Sequence, residues 1–362
     1  MNVFRWAIFG TGAVSANFVA GLKSAHNHKS VVVASRTKAK AEAFAAGTGV
    51  ERAVEGYAEA ARLGGVDAVY IATPNSEHAT HALMCIEAGL PVLIEKPFAS
   101  SPAEAKLIIE AARRHGVFAM EAMWTRFLPA VRQFHEQVAA GAVGDVRLVS
   151  GSFGTSKRFD PKDNSFSVAR GGAVAQLGVY PLSLAQSLFG TPTTIEAVGR
   201  IGTTGVEEDA SIELEHANGV VGSFLCSIRA WAPNEFTVMG TDGMAAFRGP
   251  IYRPFGYDLA RQGPRGVAPV RFDWKARLRE HTLMLRLAQR VGTSTMSRAT
   301  KSISAPFAGN GYHYQAEEVA ACIGRGALES STMPLSDSIS VVETIETIRA
   351  SIQKRASKGQ AS

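Results

Sequence analysis

Over residues 1–122, short unbroken apolar runs alternate with longer segments whose apolar residues recur at helical spacing. The runs are Phe4–Phe9, Val31–Ala34, Ala68–Ala72, Pro91–Ile94 and Val117–Met120. Helix patterns fill the intervals, from Ala13 to about Ala25, over Lys38–Ala46, and in alanine-rich stretches before the later runs. Strands that are apolar on both faces, with helices between them, belong to a parallel sheet covered on both sides. The pattern predicts a doubly wound α/β domain over 1–122.

Past that point the texture changes. Asp145–Gly154, Thr194–Ile201, Ala210–Glu215, Val220–Arg229 and Glu235–Gly240 read as longer strands with apolar and polar residues alternating. Asn218-Gly219 has the composition of a tight hairpin turn, and Thr241-Asp242-Gly243 supplies another. These predict a second domain over 123–355, for substrate binding and dimerisation. It is an α+β unit: an open, mostly antiparallel sheet with helices on one face. Helices are expected over Gly172–Leu188, Gln315–Cys322 and Ser336–Lys354, the last packing back on the first domain. The interval 253–301 follows neither period and reads as an insertion. The polar tail after Arg355 reads as frayed.

A chain of 362 residues is long enough for two cores. Hydrophobic residues make up 46% of it, yet no run approaches the roughly 18 needed to span a membrane. The first strand follows the N-terminus directly, without the layout of a signal peptide. Cys85, Cys226 and Cys322 are far apart and read as small buried hydrophobes in a reducing compartment, so a cytoplasmic protein is expected. The net charge of +6 is concentrated: 253–301 carries 11 Lys and Arg against Asp258, Asp273 and Glu280, a surplus of 11 − 3 = +8. No aromatic pattern accompanies these charges, so a surface or subunit-facing segment is expected and nucleic acid is not. The His residues are scattered without carboxylates at ligand spacing, and no metal is expected.

Candidate chemistry begins at Gly10-Thr11-Gly12-Ala13-Val14-Ser15, between the first strand and the first helix. Glycines there let the backbone approach a pyrophosphate, which the open amides of the helix N-terminus attract. Ser15 replaces the third glycine of the Rossmann fingerprint and is small enough for close helix–sheet packing. The second strand ends at Ser35-Arg36-Thr37-Lys38 with no acid between Gly12 and Glu42. An NAD site would place a carboxylate there for the ribose 2′-hydroxyl. Ser35 and Arg36 suit a 2′-phosphate instead, so NADP is expected over NAD. Thr73 and Asn75 follow the run Ala68–Ala72 at the end of the sheet where such folds bind ligands. Glu95-Lys96-Pro97 closes another run and puts an ammonium at the reactive end of the cofactor, with Glu95 facing the ribose hydroxyls.

In order along the chain stand Gly10–Ser15, Ala72-Thr73-Pro74-Asn75 with His78, Glu95-Lys96-Pro97, Glu121-Ala122-Met123-Trp124-Thr125-Arg126, and Gly171-Gly172 with Gln176, Gly178, Val179, Tyr180 and Pro181. Through them the chain resembles the glucose–fructose oxidoreductase/inositol dehydrogenase family over nearly its whole length. Trp124, Arg126, Tyr180 and Gly309-Asn310-Gly311-Tyr312 bring it nearest the branch of dimeric dihydrodiol dehydrogenases and NADP-dependent xylose dehydrogenases. The resemblance implies a sheet whose free face is buried in a homodimer or dimer of dimers. It also implies a cis peptide before Pro97 and a polyol or sugar substrate.

Oxidising a carbinol needs a base for its proton. A tyrosine ordinarily titrates near 10, and bringing one to about 7 takes roughly 4 kcal/mol of preference for the phenolate. An ammonium in a dry cleft can supply that order of stabilisation. Tyr180 is therefore assigned as acid/base and Lys96 as its electrostatic partner. Trp124 and Arg126 are expected to wall the nicotinamide pocket, and His78 to be a hydrogen-bonding residue at a helix start. Gln176 stands where the family motif carries Asp; four residues before Tyr180 on a helix, it should face the substrate as a neutral amide. The reading is an NADP-dependent oxidoreductase of a secondary alcohol or hemiacetal. The alternatives are a ketosugar reductase running in reverse and a cofactor-binding regulatory protein without turnover.

Overall fold

The run Phe4–Phe9 (β1) is an inner strand of a six-stranded parallel sheet. Its alternation feeds two cores: Trp6 and Ile8 enter one hydrophobic cluster, Ala7 and Phe9 the other. The remaining strands are β2 (His28–Ser35), β3 (Arg52–Glu55), β4 (Ala68–Ile71), β5 (Val92–Glu95) and β6 (Ala119–Ala122), in spatial order β3-β2-β1-β4-β5-β6. Every pairing is parallel. The winding reverses between β1 and β4, so a crevice opens at the carboxyl ends of those two strands. The structure, a computed structural model, describes residues 3–169, 171–262 and 300–359. The edge strand β3 has no counterpart among the apolar runs, because only Val54 of its four residues is buried.

The second sheet comprises β7 (Val146–Gly154), β8 (Pro192–Ile201), β9 (Glu207–His216), β10 (Val221–Ser227), β11 (Phe236–Gly240), β12 (Gly243–Arg248), β13 (Gly256–Arg261) and β14 (Thr300–Ser304). Their order is β14-β13-β12-β11-β7-β10-β9-β8, antiparallel except for the parallel pair β7–β10. The interval read as an insertion thus opens with one strand of this sheet and closes with another, Tyr257 lying opposite Ile303. The centre of that interval, 263–299, lies outside the described residues, and with it most of the basic surplus.

One face of the second sheet is covered by the helices Val179–Phe189 and Leu335–Gly359. The other exposes Leu148, Val198, Val221 and Leu225. Register puts Val221 opposite Leu148, and Ser211 between Leu225 and Val198, so these apolar side chains share one face. The helix Leu335–Gly359 also lies on the helix Pro102–His115 and on β6, bridging the two sheets. Among the described residues no helix is long and apolar enough to cross a membrane.

Candidate active site

Gly10 leaves β1 at φ +107°, and a Cβ there would strike the carbonyl of Ala72 after β4. Its N–H donates to Ala34 O at 3.1 Å. Glycine is required because this turn threads between the ends of β2 and β4. Gly12 has open space where a Cβ would stand, and it caps the helix Ala13–Leu22. That helix has no side-chain cap and no acid in its first turn. Its leading amides therefore face the crevice beside Thr11, Ala13 and Val14, the last 40% exposed. Ser15 is fully buried under the turn. A pyrophosphate fits this cradle: backbone donors, an open approach, and no acid in the first turn of the helix.

At the end of β2 Arg36 is exposed, whereas Ser35 is only 4% exposed. Across the crevice, Thr73 Oγ1 lies 3.0 Å from His81 Nδ1, and Asn75 opens a short 3₁₀ turn. His78 bridges two loops, with Nε2 3.0 Å from Thr73 O and Nδ1 3.0 Å from Pro97 O. Burial pulls its pKa down to about 4, although both carbonyls favour the cation. Near neutral pH the ring thus carries a single proton for two acceptors.

The Lys96–Pro97 peptide is cis. Lys96 Nζ donates to the main-chain carbonyl of Gln176 at 3.0 Å and stands 4.9 Å from the centroid of the Tyr180 ring. The Tyr180 hydroxyl receives a long hydrogen bond from Trp124 Nε1, at 3.5 Å. Trp124 stacks on Tyr312 at 4.5 Å, while Tyr252 stacks on Phe153 at 5.4 Å, each of the latter edge-on to Tyr180. Tyr180 is thus enclosed by aromatic side chains. Tyr252 was not legible in the sequence, since it falls between the predicted strand Glu235–Gly240 and the interval 253–301, where no element was read. Phe153 fell within the predicted strand Asp145–Gly154 without being singled out, and Tyr312 stood only in the motif Gly309–Tyr312 that carries the resemblance.

Glu95 has protein partners: it is 7% exposed, accepts from the Tyr70 hydroxyl at 2.5 Å and from Lys96 N at 3.1 Å, and burial raises its pKa. A carboxylate at the end of an inner strand turns toward the donors that offset its desolvation. Arg126 is buried and turned to partners within the fold. Its side chain is 2% exposed and donates to Ser183 Oγ (2.9 Å), Ser183 O (2.6 Å), Thr332 O (3.3 Å) and Asp337 (2.6 Å). A buried guanidinium goes where its fork of donors can be satisfied. The segment carrying Gln176 is not α-helical throughout: Val174–Gly178 is a π turn and α geometry begins at Val179. The four-residue spacing argument therefore fails across it, and the contact seen from Gln176 to Lys96 is through its main-chain carbonyl.

Glu121 escaped the sequence reading as a functional group. Its Oε1 accepts from Phe98 N at 3.0 Å, just past the cis peptide. Burial lifts this carboxyl to about 7, with Ser338, Arg126 and the Phe98 N–H pulling the other way.

Residues 4–123 match the model of an oxidoreductase family with an NAD-binding Rossmann fold, and residues 131–246 that of the GFO/IDH/MocA C-terminal domain. The chain is 32% identical over 360 residues to trans-1,2-dihydrobenzene-1,2-diol dehydrogenase of Mus musculus, covering 96% of each. The chain belongs to the GFO/IDH/MocA oxidoreductase family. Among solved family-like folds, an aldose-aldose oxidoreductase from Caulobacter crescentus complexed with glycerol superposes with a TM-score of 0.79 at 22% identity, covering 98% of both chains. A 3-ketoreductase from Actinomadura kijaniata, in complex with NADP and TDP-benzene, gives 0.77 at 21% identity, covering 97% of this chain and 98% of that one. As a member of this family the protein is a dehydrogenase or reductase acting on CH–OH groups with a nicotinamide cofactor.

Proposed function

We propose that the protein is an NADP-dependent oxidoreductase of a secondary alcohol or hemiacetal carbon in a sugar or cyclic diol. The nicotinamide, when bound, accepts or supplies the hydride. Tyr180 takes the carbinol proton in oxidation and returns it in reduction. Lys96, held between Gln176 O and the Tyr180 ring, favours the phenolate and donates to the substrate oxygen. Trp124 N–H, aimed at the same phenolic oxygen, works in the same direction. Gly10, Thr11, Gly12, Ala13 and Val14 hold the pyrophosphate, Arg36 with Ser35 the 2′-phosphate, and Thr73 and Asn75 the cofactor's far side. Gln176 contributes its main-chain carbonyl, which holds Lys96 Nζ. The apolar face with Leu148, Val198, Val221 and Leu225 closes on a second copy of the chain.

The observation that carries this reading is the juxtaposition of Lys96 and Tyr180 beside the crevice at the β1/β4 reversal. The aromatic lining favours a ring substrate, and the Mus musculus relative, named for a cyclic diol, supports the diol branch. The test is turnover with NADP and NAD on a panel of aldoses, ketosugars and trans-dihydrodiols, with Tyr180→Phe as the control. NADP-linked oxidation abolished in the control supports the proposal; turnover that survives in Tyr180→Phe removes it.

A further inference from the structure

The helix Leu335–Gly359 grips the Tyr180 segment at both ends. Near its start Asp337 pairs with Arg126, and Arg126 also holds Ser183, one turn beyond Tyr180. The Gln186 amide donates to Asp337 O at 3.1 Å. Farther along, Arg349 forks: Nε donates to Glu207 Oε1 at 2.9 Å, and its NH2 group to the carbonyl of Gly171. The Glu207 side chain is only 8% exposed. Gly172 continues at φ +94°, leaving no room for a Cβ beside Glu207 and Arg349, and its N–H donates to Ser165 O at 2.9 Å. Between these two anchors lie the π turn Val174–Gly178 and Tyr180.

A π turn holds one residue more than an α turn and is rarely the preferred form of an isolated helix. Relaxation to α geometry would rotate the residues ahead of it by about 100° and shift them by about 1.5 Å. That would carry Gln176 O away from Lys96 Nζ. With Gly171 held at one end and Ser183 at the other, the extra residue has nowhere to go. Resting on the assignment of Lys96 and Tyr180 made above, we propose that Arg349, Glu207 and Asp337 are positioning residues. Through the C-terminal helix they hold the Gln176 carbonyl against Lys96 and keep the Tyr180 hydroxyl in reacting register. The same helix sits on the sheet that carries Lys96, so one element sets both halves of the pair.

Arg349→Lys is the decisive variant, because it keeps the charge but cannot reach Glu207 and Gly171 O together. Its kcat should fall about tenfold or more, since displacements near 1 Å can cost up to about 10²-fold, with KM and the NADPH Kd within about twofold. Glu207→Gln, which retains an acceptor for Arg349, should recover most of the kcat lost in Glu207→Leu. Amide hydrogen exchange over 174–180 should quicken in Arg349→Lys while the six-stranded sheet is unaffected. Wild-type kcat in Arg349→Lys, or kcat and NADPH affinity declining together with Tm, overturns the proposal. Should Tyr180→Phe retain activity, the acid/base assignment fails separately, and the clamp then stands or falls on the exchange of 174–180 alone.

Discussion

The ammonium of Lys96 lies 4.9 Å from the centre of the Tyr180 ring, tethered at 3.0 Å by the main-chain carbonyl of Gln176. The ammonium stands at the ring while Trp124 Nε1 reaches the phenolic oxygen, so two donors converge on one side chain. The tether fixes the ammonium without neutralising it, because a carbonyl accepts a proton bond but carries no charge.

Replacing Lys96 with Met keeps the length of the side chain and removes its charge. Turnover should drop by about 10²–10⁴-fold, as should Tyr180→Phe, while NADPH titrations stay near wild type. Equal loss of NADPH binding in Lys96→Met would mean that the ammonium serves the cofactor rather than the proton transfer.

Cofactor choice should follow Arg36. Arg36→Ala is expected to weaken NADPH by about ten- to a hundredfold, the worth of a charge-assisted phosphate contact, with little change for NADH. Ser35→Asp should go further and reverse the preference by repelling the 2′-phosphate. Paired fluorescence titrations decide it; wild-type protein that binds NADH as tightly as NADPH contradicts the assignment.

Glu121 makes stability depend on pH in an unusual sense. Burial lifts its carboxyl from 4.5 to about 7, so over that interval the folded chain holds a proton that the unfolded chain has released. Stability contributed by this group is present below the lower value and is lost as pH rises toward the upper one, by about 3 kcal/mol in all. Glu121→Gln keeps an acceptor for Phe98 N and never has to ionise. Its Tm should exceed that of wild type at about pH 8 and match it at about pH 4, outside the window on either side. A Tm difference that does not change between those two conditions would show that Glu121 titrates normally.

Gln176→Asp separates a side chain that meets the substrate from one that does not. A carboxylate there would accept strongly from a substrate hydroxyl and oppose a phenolate at Tyr180. Relative kcat/KM among polyols should shift, with kcat lowered near neutral pH. Identical profiles for variant and wild type would leave only the main-chain carbonyl of Gln176 in the site.

How much of this was legible in the sequence follows from the range of the forces involved. The parallel sheet was readable because strands covered on both faces must be apolar throughout, as in Ala68–Ile71, and the second sheet because a half-covered strand must alternate, as in Val221–Ser227. Gly10 was readable because its backbone angle and its closeness to Ala72 admit no side chain. These are local demands, written residue by residue. Strands such as Arg52–Glu55 and Gly243–Arg248 bury too few residues to leave a pattern. The direction of a buried charge is not local at all. Glu95 and Arg126 looked like ligand contacts by motif, yet they turn to Tyr70 and to Asp337 with Ser183. Leaving water costs a buried charge several kcal/mol, and only the folded chain determines which partners stand close enough to offset that loss. The π turn before Tyr180 is equally non-local in its setting: it lies between the contacts of two distant residues, Arg349 at Gly171 and Arg126 at Ser183.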